Sequence, residues 1–384
     1  MLLFCRFPFF LWRTLMLFIA RVGLSTVMVL LACGAAIDAA PFEQSHVAAD
    51  AKWMMHFDMD TARESTVVQR AYAMAVKMHP QAEKMLGMVS GMLGMDPRKD
   101  LHDATVYGLD TDKQNAIIIV HANANREFLT TMVERAVDHA KTSYGSYELH
   151  SWTHKGWNRD YSGPAVGAFF KDNIIVFART QAAVKAALDV LDGSAKSIKD
   201  SDSMLAGRIR PGSILIGRAS VVDPKTRCPV LKEGSSFRVA LGENNETIFY
   251  RATLQMKTAT AAEQVKDVVK GFTSLASLKY GDDQTAIGLV KAIAVKTDAK
   301  TCSIRWDAAA ADVWQVMETA ATKWEQRRKE WSNRGRMNGA KKGGGCKSCG
   351  KDGCQECSGD KKCPLDTEHL GGKNAERPLG DDEF

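Results

Sequence analysis

The stretch VGAFFKDNIIVFARTQAAVKAALDVLDG, residues 166–193, decides how the chain is read. Val166–Phe170 and Ile174–Arg179 are short apolar runs rich in β-branched and aromatic residues. Lys171-Asp172-Asn173 separates them, so they predict a β-hairpin. A helix is predicted from Gln181 to Asp192, with Thr180 placed to cap its first turn and Gly193 to end it. A hairpin closed by a helix is therefore the local unit.

The same unit recurs on either side of this stretch. Upstream, His102–Leu109 and Asn115–His121 predict a hairpin around Asp110–Lys113. A helix capped by Asn125 follows, its apolar stripe carried by Phe128, Leu129, Met132, Val133, Ala136 and Val137. Tyr147–His154 reads as a further strand. Downstream, Ser213–Ala219 is a strand, and Phe237–Leu241 pairs with Thr247–Met256 across Gly242–Glu246. A helix comes next, for which Thr260 and Glu263 have the spacing of a capping box ahead of Val265, Val268, Val269 and Phe272. A last hairpin, Ala292–Thr297 with Thr301–Trp306, leads into a helix over Ala308–Asn333.

The first strand, Lys52–Asp60, alternates with period two. Trp53, Met55, Phe57 and Met59 lie on one side, and His56, Asp58 and Asp60 on the other, which is read as the wet face. A helix follows over Thr61–Met88, then a Met-rich stretch ending at Asp96-Pro97, whose methionines are read as core filler.

Strand, hairpin, helix, hairpin, helix thus occurs twice, at an offset of roughly 130–160 residues. The expectation is an α+β fold of two similar halves, 48–200 and 205–333, each made of antiparallel hairpins covered by helices. Strands come in adjacent pairs, which disfavours a doubly wound nucleotide-binding fold. After Trp331 the composition turns to Lys, Arg, Gly and Ser, so 334–384 is expected to be a disordered, basic Gly/Cys-rich tail.

The first 40 residues predict export. Arg6, Arg13 and Arg21 precede an apolar run from Val22 to Ile37, and small residues follow, which is the order of a secretory signal peptide. Gly34-Ala35-Ala36 offers a cleavage site. Leu30-Leu31-Ala32-Cys33 is an imperfect lipobox that makes Cys33 a candidate lipid attachment site. An uncleaved anchor is the alternative, although the run is about 16 residues against the ~20 of a spanning helix. Met16 is an alternative start. The expected location is the periplasm, cell envelope or exterior.

A formal charge of +6 from 51 Lys and Arg against 45 Asp and Glu implies no nucleic-acid partner. The basic excess is local: Lys323, Arg327, Arg328, Lys329, Arg334, Arg336, Lys341 and Lys342 are suited to contact an anionic membrane surface, or simply to a solvated helix face. The sharpest motif is Cys346-x2-Cys349 and Cys354-x2-Cys357, followed by Cys363. Paired Cys-x2-Cys knuckles bind soft metals, zinc above all, though these lie only four residues apart, shorter than in a zinc ribbon. Disulfides formed after export and thiol–disulfide exchange are the other readings, the last lacking a thioredoxin-like scaffold. Cys228 and Cys302 are a potential disulfide of the body.

His56 and Asp58 on one strand, with His150 and His154 on another, would form a metal or acid–base site were the two faces adjacent. No Gly-x-Ser-x-Gly, phosphate-loop, His-Glu-x2-His or Gly-x-Gly-x2-Gly motif is present, so no catalytic residue is assigned.

The stretches Asp96–Gly108, Phe170–Thr180 and Ala183–Gly193 resemble uncharacterised exported proteins of planctomycete-type bacteria. The resemblance spans about residues 48–324 and implies export and a duplicated α+β body. It brings no catalytic residues, and the cysteine tail is no part of it. The expected function is an exported, envelope-associated protein with a non-enzymatic binding or structural role, its partner an envelope protein or ligand. An envelope thiol–disulfide oxidoreductase or a metal-dependent hydrolase is the alternative.

Overall fold

A computed structural model describes residues 42–79, 81–154, 163–221 and 232–342, with side chains to 328 apart from residue 82. Twelve strands form one antiparallel sheet. They are β1 (Trp53–Asp58), β2 (Leu101–Gly108), β3 (Ile117–Ala122), β4 (Ala140–Tyr144), β5 (Tyr147–His154), β6 (Gly163–Phe170), β7 (Ile174–Ala178), β8 (Ser213–Ala219), β9 (Gly234–Asn244), β10 (Thr247–Met256), β11 (Ala294–Asp298) and β12 (Thr301–Ala309). Their spatial order is β11-β12-β10-β9-β8-β1-β2-β3-β7-β6-β5-β4.

This order displays the duplication. At the centre β1 pairs antiparallel with β8, His56 opposite Ile216. Outward from that pair one arm runs β1-β2-β3-β7-β6 and the other β8-β9-β10-β12-β11, so corresponding strands occupy corresponding places. The fold is α+β, with two similar halves of antiparallel hairpins that share a single sheet. The β4–β5 hairpin extends one edge only.

Helices cover both faces. Ahead of β2 come α1 (Met59–Glu64), α2 (Thr66–Met78), α3 (Gln81–Leu93) and α4 (Pro97–Asp100). Next are α5 (Arg126–Glu134) after β3 and α6 (Gln181–Leu191) after β7. The second half has α7 (Ala259–Lys279), α8 (Gln284–Lys291) and α9 (Ala310–Lys342). The largest core lies where α6 and the segment Phe42–Ala48 cover one face of the first half, burying Met54, Tyr107, Ile119, Leu149, Val176 and Leu188. Under α7 a smaller core gathers Met256, Ala262, Val265 and Cys302. The body ends at Met317; from Glu318 the chain is a second unit, described as the remainder of α9, where the Arg328 guanidinium sits 5.5 Å from the Trp324 ring centre.

Several boundaries differ from the expected ones for local reasons. Asp58 ends β1 because its carboxylate accepts the Thr61 amide at 2.7 Å and starts α1, so Met59 and Asp60 are helical. The single helix expected over Thr61–Met88 is three helices. Ser65 is extended and caps α2, and His79, ahead of Pro80, leaves the helical region as residues before proline do. Thr258, two residues before the expected capping box, caps α7 by accepting the Ala261 amide. Glu263 instead serves Lys266 and Thr297. Helix α9 runs through Lys342, into the stretch expected to be tail.

Tyr107 is fully buried, and its hydroxyl has no hydrogen-bond partner among the described residues. Burial pushes its pKa far up, so it stays neutral. An unmatched buried hydroxyl costs about 1–3 kcal/mol. Tyr107→Phe is therefore expected to leave stability unchanged or raise it by up to about 1 kcal/mol, as read from the midpoint of urea unfolding.

Candidate functional site: a polar cluster and an apolar groove on opposite faces

The histidines singled out in the sequence do not meet. Between β1 and β5 lie β2, β3, β7 and β6, five steps of about 4.8 Å, so His56 and His150 are about 24 Å apart along the sheet. They also face opposite sides. His56 opposes Thr105, whose face continues through Ile119 and Val176 toward Leu149, while His150 alternates with Leu149. A shared metal or acid–base centre of His56, Asp58, His150 and His154 is excluded by this geometry. Asp58 is occupied as a helix cap, and His154 is exposed at the end of β5. Among the described residues no three His, Cys, Asp or Glu side chains converge as metal ligands. Cys33, Cys228, Cys346, Cys349, Cys354, Cys357 and Cys363 lie outside the described residues. Cys302 is a buried free thiol whose pKa burial raises.

The polar side of β1 is not the wet face. His56 is 2% exposed and Asp58 8%, whereas Met55 on the other side is 40% exposed. His56 Nδ1 is 2.9 Å from Thr105 Oγ1, and its Nε2 has no partner among the described residues. Asp103, next along β2 on this face, binds His121 Nδ1 at 2.6 Å through one oxygen; its other oxygen is unmatched among the described residues. From above, Phe42 packs on His56 at 5.0 Å between ring centres and His46 on His121 at 5.3 Å. Burial, aided by His121 and opposed by Asp103, pushes His56 down to about 4. It also lowers His46, with a contribution from His121. A neutral imidazole is held here by the Thr105 hydroxyl within the core.

On the opposite face lies an apolar cavity of about 360 Å³. Its floor is Ala104 of β2, Val120 of β3, Ile175 and Phe177 of β7, Gly167 and Phe169 of β6, and Trp152 of β5. Its walls are Leu93 of α3, Pro97 of α4 and Leu129, Met132 and Val133 of α5. Asn125 fixes the start of α5 by accepting the Phe128 amide at 2.9 Å, which turns the predicted apolar stripe toward the sheet. The stripe does not seal the space: Phe128 and Met132 each stay 40% exposed. Gly167 deepens the floor, because a Cβ there would come within 3.1 Å of the Phe177 ring. His150 and Thr130 are the lining side chains with hydrogen-bonding heteroatoms besides the Trp152 indole. His150 Nδ1 is engaged by His139 Nε2 at 3.1 Å, and burial together with His139 lowers its pKa, so it is neutral at neutral pH.

In the Met-rich stretch Met95 is partly buried and packs against a core cluster, as expected of core filler, whereas Met92 is not core filler. Met85, Met88 and Met92 are 49%, 68% and 63% exposed, spaced so that they form one stripe on the helix whose last residue, Leu93, lines the cavity. Flexible, polarisable methionine suits a surface that adapts to varied apolar partners.

No family model and no curated protein matches the chain. Among solved structures it is similar to crystal form III of TP0453, with a TM-score of 0.39, 8% identity, and coverage of 73% of this chain and 100% of that one. It is also similar to crystal form I of TP0453, with a TM-score of 0.38, 9% identity, and coverage of 74% and 99%. Among the described residues no helix is long and apolar enough to cross a membrane.

Proposed function

We propose that this is an exported, envelope-associated binding protein, non-enzymatic, whose body takes up an apolar ligand in the groove beneath α5. The observation that carries the reading is the cavity itself. Its volume falls within the ~300–1,000 Å³ of small-molecule sites, and its accessible lining is apolar. An apolar guest in this cavity would gain dispersion contacts with the apolar side chains that line it. Export rests on the Arg-flanked apolar leader, as it did in the sequence. The tail cysteines Cys346, Cys349, Cys354 and Cys357 remain proposed zinc ligands on their spacing alone, separate from the groove.

The test is saturable binding of N-phenyl-1-naphthylamine, a neutral apolar fluorophore, to the full chain. One site per chain is expected. Leu129→Trp, which places an indole where the half-buried Leu129 lines the cavity, should weaken binding at least tenfold with the thermal midpoint unchanged within a few degrees. A linear, non-saturating signal would overturn the reading, as would saturable binding indifferent to Leu129→Trp in a folded variant.

A further inference from the structure

The geometry points to a long-chain carboxylate as the occupant of this groove, its alkyl chain in the cavity and its head at the guanidinium of Arg126. This rests on the groove being a binding site and names the class of ligand. The lining carries no charged side chain, and His150 is already engaged by His139, so burying a charged head there unmatched would cost several kcal/mol. The polar end of an amphiphile must therefore stay at the mouth, and the mouth carries a cation. Arg126 is the exposed first residue of α5, and its guanidinium lies 5.1 Å from the ring centre of Phe169, a floor residue.

Two neighbouring cations are already matched. Arg98, adjacent to the wall residue Pro97, holds Asp96 at 2.8 Å, and Lys141, the register partner of His150, holds Glu148 at 2.7 Å. Arg126 forms no ion pair with a carboxylate among the described residues, its charge reaching Glu148 only as a minor influence behind that of Lys141. Its sequence neighbour Glu127 is one step round the helix and so faces away from it. A guanidinium stacked on an aromatic ring keeps its donor edge free for a planar carboxylate, which it binds bidentately. The chain count follows from size: about 360 Å³ is near the lower end of the small-molecule range, room for one alkyl chain and not for the two of a phospholipid.

Affinities of the full chain for hexadecanoate, hexadecanol and hexadecyltrimethylammonium, measured by displacement of N-phenyl-1-naphthylamine below their critical micelle concentrations, provide the test. Phosphatidylglycerol vesicles form a fourth arm. Hexadecanoate is expected to bind at least tenfold tighter than hexadecanol, the trimethylammonium chain weakest, and the vesicles not to displace the probe. Arg126→Gln should remove the advantage of the carboxylate and leave hexadecanol binding unchanged. Equal affinity for the carboxylate and the alcohol, or an advantage that survives Arg126→Gln, overturns the carboxylate assignment and leaves the groove reading standing. Probe displacement by the vesicles overturns the single-chain source. Failure of all three chains to displace a saturably bound, Leu129→Trp-sensitive probe overturns the long-chain assignment and leaves the groove reading standing.

Discussion

Gly242→Ala is expected to abolish folding at 37 °C or to destabilise the chain by at least about 3 kcal/mol, a loss on the scale of core overpacking. A Cβ on Gly242 would stand 1.9 Å from the carbonyl oxygen of Gly212, which is backbone and cannot swing aside. Gly212 itself has φ +77°, and a Cβ there would meet the Glu243 carbonyl oxygen at 2.1 Å. The two glycines let β8 and β9 touch where their register shifts between Ser213 and Leu215, and the Glu243 amide donates to the Gly212 carbonyl at 3.0 Å. The position of Glu243 depends on this approach. Its carboxylate crosses from the second half to the start of α2 in the first, accepting hydrogen bonds from the Ser65 and Thr66 hydroxyls and from the Val67 amide at 3.2 Å. Burial works to raise the pKa of Glu243, but these donors outweigh it and hold it below the ordinary glutamate range. A displaced β9 thus loses both strand pairing and the clasp between halves. The check is the urea midpoint of Gly242→Ala beside Gly271→Ala, a helical glycine of α7 with open space around it, which should stay within about 1 kcal/mol of the parent or gain slightly. Equal midpoints for the two variants would remove the argument.

How much was legible in advance can be seen by comparing particular elements. The hairpin β6–β7 and the cap at Thr180 were readable because a short polar turn and a hydroxyl one residue before a helix are local chemistry, fixed by neighbours in the chain. Strand β4 was missed because Ala140–Tyr144 is nearly all exposed at the sheet edge, so no apolar alternation marks it. For β1 the period was correct and the face inverted. Alternation states that His56 and Met55 lie on opposite sides; which side is covered depends on Phe42, His46 and α6, elements remote in sequence. The groove was the least legible, since its lining is drawn from residues between Leu93 and Phe177 on strands and helices that topology alone brings together.

Below pH 6.5 the chain is expected to lose stability through His56, by about 3 kcal/mol once pH 4 is reached. The imidazole has an ordinary pKa of 6.5 when unfolded and about 4 when folded, so between those values the unfolded chain binds the proton and the folded one does not. The contribution is therefore intact above pH 6.5, declines as pH falls from 6.5 to 4, and is flat below 4; at about 1.4 kcal/mol per pH unit the window is worth about 3 kcal/mol. Other groups titrate nearby: burial lowers His46 and His150 in the same sense and raises Asp58 in the opposite one. Comparison with His56→Gln cancels these contributions, because glutamine does not titrate and retains an amide to face Thr105. Unfolding free energies of the two proteins at pH 7.5 and 4.0 should show the parent losing about 3 kcal/mol more than the variant. Parallel losses would mean that protonated His56 finds a partner in the fold, the unmatched oxygen of Asp103 being the nearest candidate in kind. The direction follows from placement: His56 is buried and its Nε2 has no hydrogen-bond partner among the described residues, so burial disfavours a second proton more than Asp103 favours it.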